Sequence, residues 1–154
     1  MSPELQALYQ ELIIEHNKYP RNYGRLESYT HSAQGYNPLC GDEVHLTLRV
    51  EEDKIADIRF EGKSCAICRA SASVMTTVVK GAPVSTAEEL FTAFHELLTQ
   101  DESPHFYNLP AGAQEKLKIF STVKNFPLRV KCASLPWHTL HAALHHIDRP
   151  VSSE

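Results

Sequence analysis

The first half of the chain contains two stretches in which hydrophobic and polar residues alternate. The hydrophobic members are Val44, Leu46, Leu48 and Val50 in the first stretch and Ala56, Ile58 and Phe60 in the second. Alternation with a period of two is typical of a β-strand that buries one face. The polar link at residues 51–54 favours an antiparallel hairpin, and we expect a third strand over residues 30–35.

Elsewhere the hydrophobic residues recur at helical spacing. Residues 5–13 carry one apolar face, preceded by Ser2 as a candidate cap and by Pro3, which suits the first position of a helix. Further helices are expected over residues 65–80, which end at Gly81, and over residues 113–121. Two more helices are predicted from start signals: a capping-box pattern at residues 85–88, and the pair Ser134 and Pro136.

Strands that precede helices in the chain predict an α+β fold. We expect a small three-stranded antiparallel sheet covered by helices, with an N-terminal helix and a helical C-terminal half. A length of 154 residues favours one domain. We place that domain at residues 1–150 and treat residues 151–154 as a short tail.

Composition and charge exclude several classes of function. A formal net charge of −4 is a poor basis for nucleic-acid binding, which rests on neutralising phosphates. No stretch of 18 apolar residues is present, so we expect no membrane span. The first residues include Glu4, Glu11 and Glu15, unlike a secretory signal, and we therefore expect a cytoplasmic protein with reduced thiols.

The four cysteines are the main candidates for chemistry. Cys40 and Asp42 flank Gly41 in a turn before the first alternating strand, so their side chains can converge. Cys65 is at the start of a predicted helix, and Cys132 precedes the last one. Three such cysteines and one aspartate are sufficient for a tetrahedral zinc site. Their spacing alone leaves two alternatives open: a metal site, or unrelated structural cysteines.

Two further groups have both structural and functional interpretations. Cys68 lies one helical turn after Cys65, and we interpret it as a packed thiol, with metal ligation or sulfur relay as the alternative. His138, His141 and His145 share one flank of the last predicted helix. We interpret them as a polar flank beside the apolar stripe, with a metal patch as the alternative.

Three motifs in order resemble one known family. They are NPLCGD at residues 37–42, GKSCAICRASASVMT at 62–76 and RVKCASLPW at 129–137. They resemble the IscU/NifU-type iron–sulfur cluster assembly proteins over nearly the whole chain, and within these they are most similar to the SufU branch. IscU-type scaffolds carry His before the third motif cysteine, where this chain has Lys131. SufU-type proteins carry an insertion after the second motif, which we place at about residues 82–109. The family usually has Ser at the position of Cys68.

The resemblance implies a zinc-dependent sulfurtransferase. Zinc would be held by Cys40, Asp42, Cys65 and Cys132, with Cys40 as the catalytic acceptor of persulfide sulfur. The donor would be a SufS-type pyridoxal-phosphate cysteine desulfurase, whose His takes over one zinc position in the family's mechanism and frees the acceptor thiolate. Downstream iron–sulfur assembly proteins would receive the sulfur.

The same resemblance leaves a second function open. An IscU-type scaffold would assemble an iron–sulfur cluster on the same ligands and pass it to apo-proteins. The replacement of His by Lys131 favours the sulfurtransferase. Arg129 and Lys131 are candidate auxiliary residues, which would support the persulfide anion or contact the partner.

Overall fold

The computed structural model describes residues 2–100 and 109–154. Their elements are α1 (Pro3–Lys18), β1 (His31–Asn37), β2 (Asp42–Glu51), β3 (Lys54–Glu61), α2 (Ala66–Val79), α3 (Val84–Thr99), α4 (Ala111–Lys118), a 3₁₀ helix (Ile119–Val123) and α5 (Pro127–Leu144). The predicted α+β class is confirmed.

The three strands form an antiparallel sheet in the order β1-β2-β3. Leu48 in the central strand pairs with His31 on one side and with Ile58 on the other. The β2–β3 turn places Glu52 and Asp53 at positive φ, at angles of 51° and 61°. The hairpin and the third strand are therefore as predicted, and β1 extends two residues further, to the edge of the turn that carries Cys40.

Helices α2 and α5 pack against each other and against the sheet, so the core lies between these layers. Small buried residues in α2, such as Ala70 and Ala72, allow this close approach. Further from the sheet, Phe94 stacks on Trp137 with ring centroids 5.0 Å apart and meets Phe120 edge-on at 5.6 Å. This aromatic group joins α3, the 3₁₀ helix and α5.

Helix α1 begins as predicted. The Ser2 hydroxyl accepts a hydrogen bond from the Leu5 backbone N–H, and Pro3 occupies the first turn. Tyr9 and Ile13 are buried against the core, whereas Leu8 is 48% exposed. The apolar face of α1 is therefore only partly covered by the rest of the chain.

The predicted start of the last helix is wrong. Helix α5 begins at Pro127, seven residues before Ser134, and Pro136 lies inside it. Pro127 supplies the fixed φ that suits a first helical position. Pro136 has no N–H to donate to the carbonyl of Cys132 four residues earlier, so α5 continues past it without that hydrogen bond. Cys132 therefore lies within α5 rather than in a loop before it.

The predicted capping box at residues 85–88 is also wrong. Helix α3 is preceded by Pro83, and no side chain caps it. The Val84 N–H instead donates to the Asp53 carbonyl at 2.8 Å, so contact with the β2–β3 turn sets the start of the helix. Glu88 is free to bond elsewhere.

Of the expected insertion at about residues 82–109, the part at 101–108 lies outside the described residues.

Residues 151–154 pack against β1. Val151 forms an isolated parallel bridge with Gly35, and its carbonyl accepts the Tyr36 N–H at 2.8 Å. The segment thus runs along the edge strand towards the Cys40 turn.

Among the described residues, every helix is too short or too polar to cross a bilayer.

Candidate metal centre

Cys40 lies in the tight turn between β1 and β2. Asn37 and Asp42 pair across the ends of the two strands, and the Gly41 N–H donates to the Asn37 carbonyl at 2.8 Å. Gly41 has a φ of +74°, a conformation that glycine adopts without steric cost. This geometry returns the chain so that the Cys40 sulfur lies 3.3 Å from Asp42 Oδ2.

Asp42 is almost completely buried at the centre, with an exposed fraction of 1%. Its Oδ1 accepts the Cys65 backbone N–H at 2.8 Å. Its Oδ2 faces two sulfurs, that of Cys40 and that of Cys65 at 3.6 Å. One carboxylate therefore connects the β1–β2 turn to the start of α2.

Cys65 reaches the centre through a short segment pinned to β2. The Glu43 N–H donates to the Lys63 carbonyl at 2.7 Å, and Gly62 has a φ of +134°. A Cβ at Gly62 would overlap the Glu43 carbonyl, so this approach requires glycine. Cys65 is the N-cap of α2, and its sulfur accepts the Cys68 N–H at 3.4 Å.

Cys132 enters from the second turn of α5 and is 5% exposed. Its sulfur lies 3.9 Å from that of Cys40. The predicted site residues thus come from three places: the β1–β2 turn, the start of α2 and the interior of α5.

These distances match the requirements of a tetrahedral zinc ion. Cys40, Asp42 and Cys132 place their ligand atoms within 4.8 Å of one another. Tetrahedral zinc bonds would separate two sulfur ligands by about 3.8 Å and a sulfur from an oxygen by about 3.5 Å. The observed values are 3.9 Å and 3.3 Å. Cys65 stands beside this group through its contact with Asp42, but is not one of the three.

The electrostatics of the centre also suit a cation. Burial raises the pKa of the Cys132 thiol, and the neighbouring Asp42 carboxylate raises it further. The pKa of Cys65 is raised by burial, with a further contribution from Asp42. Each thiolate is therefore disfavoured beside the carboxylate, and a divalent cation would reverse that balance, because a coordinating thiol is deprotonated.

Cys68 occupies a different environment. Its side chain is fully buried in the first turn of α2, and burial raises its pKa well above the ordinary cysteine value. A neutral thiol packed in the core agrees with the structural interpretation of this residue.

The two candidate auxiliary residues are held in different ways, Arg129 through its guanidinium and Lys131 through its backbone carbonyl. The Arg129 guanidinium lies over the Phe126 ring, 4.5 Å from its centroid. The backbone carbonyl of Lys131 accepts hydrogen bonds from Ser153 Oγ at 2.6 Å and Asn37 Nδ2 at 3.4 Å. Lys131 is thus fixed through its backbone next to the metal-centre turn.

Asn37 is a supporting residue that the sequence reasoning missed. It is fully buried, and its Oδ1 accepts the Ser152 hydroxyl and the Ser153 N–H at 2.8 Å and 3.0 Å. Glu154 then accepts the Leu39 N–H at 2.9 Å, so the final residues brace the Cys40 turn. The available signal was the first residue of the NPLCGD motif, an asparagine before a turn.

The chain is similar to known proteins over most of its length. The family described as the NifU-like N terminal domain matches residues 8–133. The iron–sulfur cluster assembly scaffold protein IscU of Thermotoga maritima is 36% identical over 145 residues, covering 94% of this chain and 98% of the relative. The zinc-dependent sulfurtransferase SufU of Bacillus subtilis is 38% identical over 136 residues, covering 88% of each chain.

A solved structure has the same fold. It is the putative iron–sulfur cluster assembly scaffold protein for the SUF system from Fervidobacterium islandicum AW-1. The TM-score is 0.79 at 34% sequence identity, and the match covers 90% of this chain and 98% of that one.

Proposed function

The chain belongs to the NifU-like N-terminal domain family and is an iron–sulfur cluster assembly protein of the IscU/SufU type, and from this premise we propose that it works as a zinc-dependent sulfurtransferase. In this role Cys40 accepts persulfide sulfur from a SufS-type cysteine desulfurase and delivers it to downstream assembly proteins. The observation that carries the proposal is the convergence of Cys40, Asp42 and Cys132 from distant parts of the chain.

The proposed zinc ligands are Cys40, Asp42, Cys65 and Cys132. Three of them already have ligand-to-ligand distances suited to one ion, and Cys65 adjoins them through Asp42. Bound zinc would keep the thiols as thiolates at neutral pH. The three sulfurs favour zinc over hard cations such as Mg²⁺.

Cys40 is the cysteine best placed to accept sulfur. Cys132 is buried in a helix. Cys65 is exposed, but its sulfur accepts the Cys68 N–H and so caps the first turn of α2. Cys40 is half-buried in a turn with glycine beside it, so its side chain can move without breaking a helix. An acceptor must reach the sulfur of another protein, and a turn provides that reach.

The transfer itself balances without an external oxidant or reductant. The Cys40 thiolate attacks the terminal sulfur of the desulfurase persulfide, and the sulfur–sulfur bond of that persulfide breaks. Its electron pair leaves with the desulfurase cysteine, which becomes a thiolate, and Cys40 becomes a persulfide. The sulfane sulfur keeps its oxidation state throughout.

Exposed apolar residues border the centre and suit a protein donor. Leu39, next to Cys40, is 78% exposed, and Leu128, one turn before Cys132, is 56% exposed. Apolar residues exposed around a reactive group are typical of a protein interface. We propose that the desulfurase docks on the surface formed by Leu39 and Leu128.

A scaffold function is the second candidate, because the Thermotoga maritima relative is named a scaffold. The same thiolates would ligate iron in an assembled cluster. Lys131, which stands where IscU-type scaffolds carry His, favours the sulfurtransferase instead.

The proposal is tested by desulfurase kinetics. A SufS-type desulfurase is assayed for sulfide release from cysteine with and without this protein. We expect wild-type protein to stimulate the rate and Cys40→Ala to abolish the stimulation while its circular dichroism spectrum stays native.

Cys68→Ala is the matched control for the loss of one thiol, and it should stimulate as wild type does. Undiminished stimulation by Cys40→Ala would contradict the transfer role. The scaffold function is tested by adding iron and sulfide to the protein anaerobically. Formation of a stable brown cluster that transfers to an apo-acceptor would favour the scaffold over the sulfurtransferase.

A further inference from the structure

A second group of metal-ligating side chains lies between α3 and α5. Glu88 of α3 faces two histidines at the end of α5, with its Oε2 3.2 Å from His141 Nδ1 and its Oε1 3.1 Å from His145 Nε2. One ligand atom from each of the three residues lies within 4.8 Å of the other two. We interpreted the three histidines of this flank as polar surface, and the alternative metal patch had His138 as its third member. The structure instead groups His141 and His145 with Glu88.

The helices fix this geometry. His141 and His145 are four residues apart, so they project from the same face, as in the paired histidines of helical zinc sites. Their rings lie 4.3 Å apart. Phe91, one turn after Glu88, stacks on the His141 ring at 5.2 Å with an interplanar angle of 16°. Helix α3 therefore supplies both the carboxylate and a wall that orients the imidazole.

We propose that Glu88, His141 and His145 form a second metal site, for a divalent ion of the zinc type. Two imidazoles and one carboxylate are borderline ligands that suit Zn²⁺ and its first-row neighbours, and they leave a position for water. Each contact involves a different carboxylate oxygen: Oε2 lies 3.2 Å from His141 Nδ1, and Oε1 lies 3.1 Å from His145 Nε2. Either distance is close to the separation of about 3.3 Å between a nitrogen and an oxygen ligand on one tetrahedral zinc ion.

The ion-pair explanation of these contacts is weaker. All three side chains are partly exposed to solvent. Exposed ion pairs contribute little to stability, so they give little reason to hold two histidines on one carboxylate. A bound ion would take the place of the hydrogens in these two contacts and would use the same oriented rings.

The second site is separate from the cysteine centre. Cys132 and His141 are nine residues apart on α5, which corresponds to about 14 Å along the helix axis. The ligands also differ in kind, with sulfur at one end of the helix and nitrogen and oxygen at the other. An ion at the second site would tie α3 to the end of α5 without occupying Cys40.

Zinc titration followed by NMR of the histidine rings tests this site independently of the thiols. Ring signals of His141 and His145 are assigned with His141→Gln and His145→Gln, and Zn²⁺ is added to the 154-residue chain. We expect both signals to shift together and saturate. Glu88→Gln should weaken that response by at least about tenfold, since loss of even a supporting residue costs a metal site that much.

Glu89→Gln is the matched control, because Glu89 is the next residue of α3 and is exposed to solvent. Its zinc response should equal that of wild type. Two results would overturn the proposal: ring signals that stay unmoved in a large excess of zinc, or a response that Glu88→Gln leaves unchanged. Neither depends on whether Cys40 accepts sulfur.

Discussion

At the scale of single residues, Asp42 has two separable tasks. Its Oδ1 accepts the Cys65 N–H, and its Oδ2 faces the sulfurs. Asp42→Asn keeps a carbonyl acceptor and removes the negative charge. We expect the fold to survive and zinc affinity to fall about ten- to hundredfold, measured by competition with a chromophoric chelator.

Asp42→Leu serves as the comparison, because it removes the acceptor as well. It should lower the free energy of unfolding by about 1–3 kcal/mol, the cost of leaving a buried N–H unpaired. Equal zinc affinity in Asp42→Asn and wild type would show that the carboxylate is not a ligand.

Cys68 gives a second prediction at this scale. Because its thiol is buried and held neutral, Cys68→Ala should leave the zinc content unchanged. The lost packing should cost about 1 kcal/mol in urea unfolding. Loss of bound zinc in this variant, with a native circular dichroism spectrum, would instead assign Cys68 to the metal centre.

At the scale of elements, the position of Cys132 depends on how α5 packs against β1. Gly35 lies in β1, and a Cβ there would overlap the Thr139 hydroxyl and lie 3.0 Å from Leu135 Cδ1. Gly35→Ala should therefore push α5 away and lower the free energy of unfolding by about 1–3 kcal/mol. Because α5 carries Cys132 and β1 leads to Cys40, zinc affinity should fall as well.

Gly112→Ala in α4 is the matched control, because a Cβ there meets no atom within 4 Å. Alanine should stabilise that helix by about 0.5–1 kcal/mol. If Gly35→Ala is as stable as wild type, the close β1–α5 contact does not govern the site.

The elements differ in how well the sequence predicts them. Strands β2 and β3 follow from alternation, because their central hydrophobic residues are buried and most of the polar residues between them are not. The start of α5 was misplaced because Ser134 and Pro136 carry local start signals. In the folded chain, α5 continues through Pro136 without one hydrogen bond, and Trp137 and Leu140, which follow it, are buried. Local start signals in the sequence carry no information about this tertiary packing.

At the scale of the whole molecule, the two candidate sites differ in how far they could be predicted from the sequence. The motif resemblance named Cys40, Asp42, Cys65 and Cys132 together, but no spacing along the chain gives the 3.9 Å between the Cys40 and Cys132 sulfurs. The pairing of Glu88 with His141 could not be predicted, because periodicity within α5 carries no information about α3. Both sites depend on contacts between distant residues.

Stability of the whole molecule should depend on pH through His16. Burial lowers the pKa of His16, whose Nδ1 lies 2.8 Å from Ser73 Oγ, and the Arg21 charge lowers it further. The unfolded chain, with a histidine pKa of about 6.5, then binds the proton more readily than the folded protein. The contribution of His16 to the free energy of unfolding is therefore retained above the unfolded-state pKa. It is lost as the pH falls towards the lower folded-state pKa.

This contribution is measured by urea unfolding of wild type and His16→Gln. The two pH values, about 7.5 and 5.5, lie on either side of the ordinary histidine pKa. We expect wild type to lose more stability than His16→Gln on acidification. An equal loss in both would exclude His16 as a source of the pH dependence.

The central claim, that Cys40 carries sulfur, is tested most directly by finding the sulfur. The protein is incubated with a SufS-type desulfurase and sulfur-labelled cysteine, alkylated, digested and examined by mass spectrometry. We expect one labelled extra sulfur on the peptide that contains Cys40, and none on the peptide that contains Cys68. Label absent from Cys40 while the desulfurase is stimulated would contradict it.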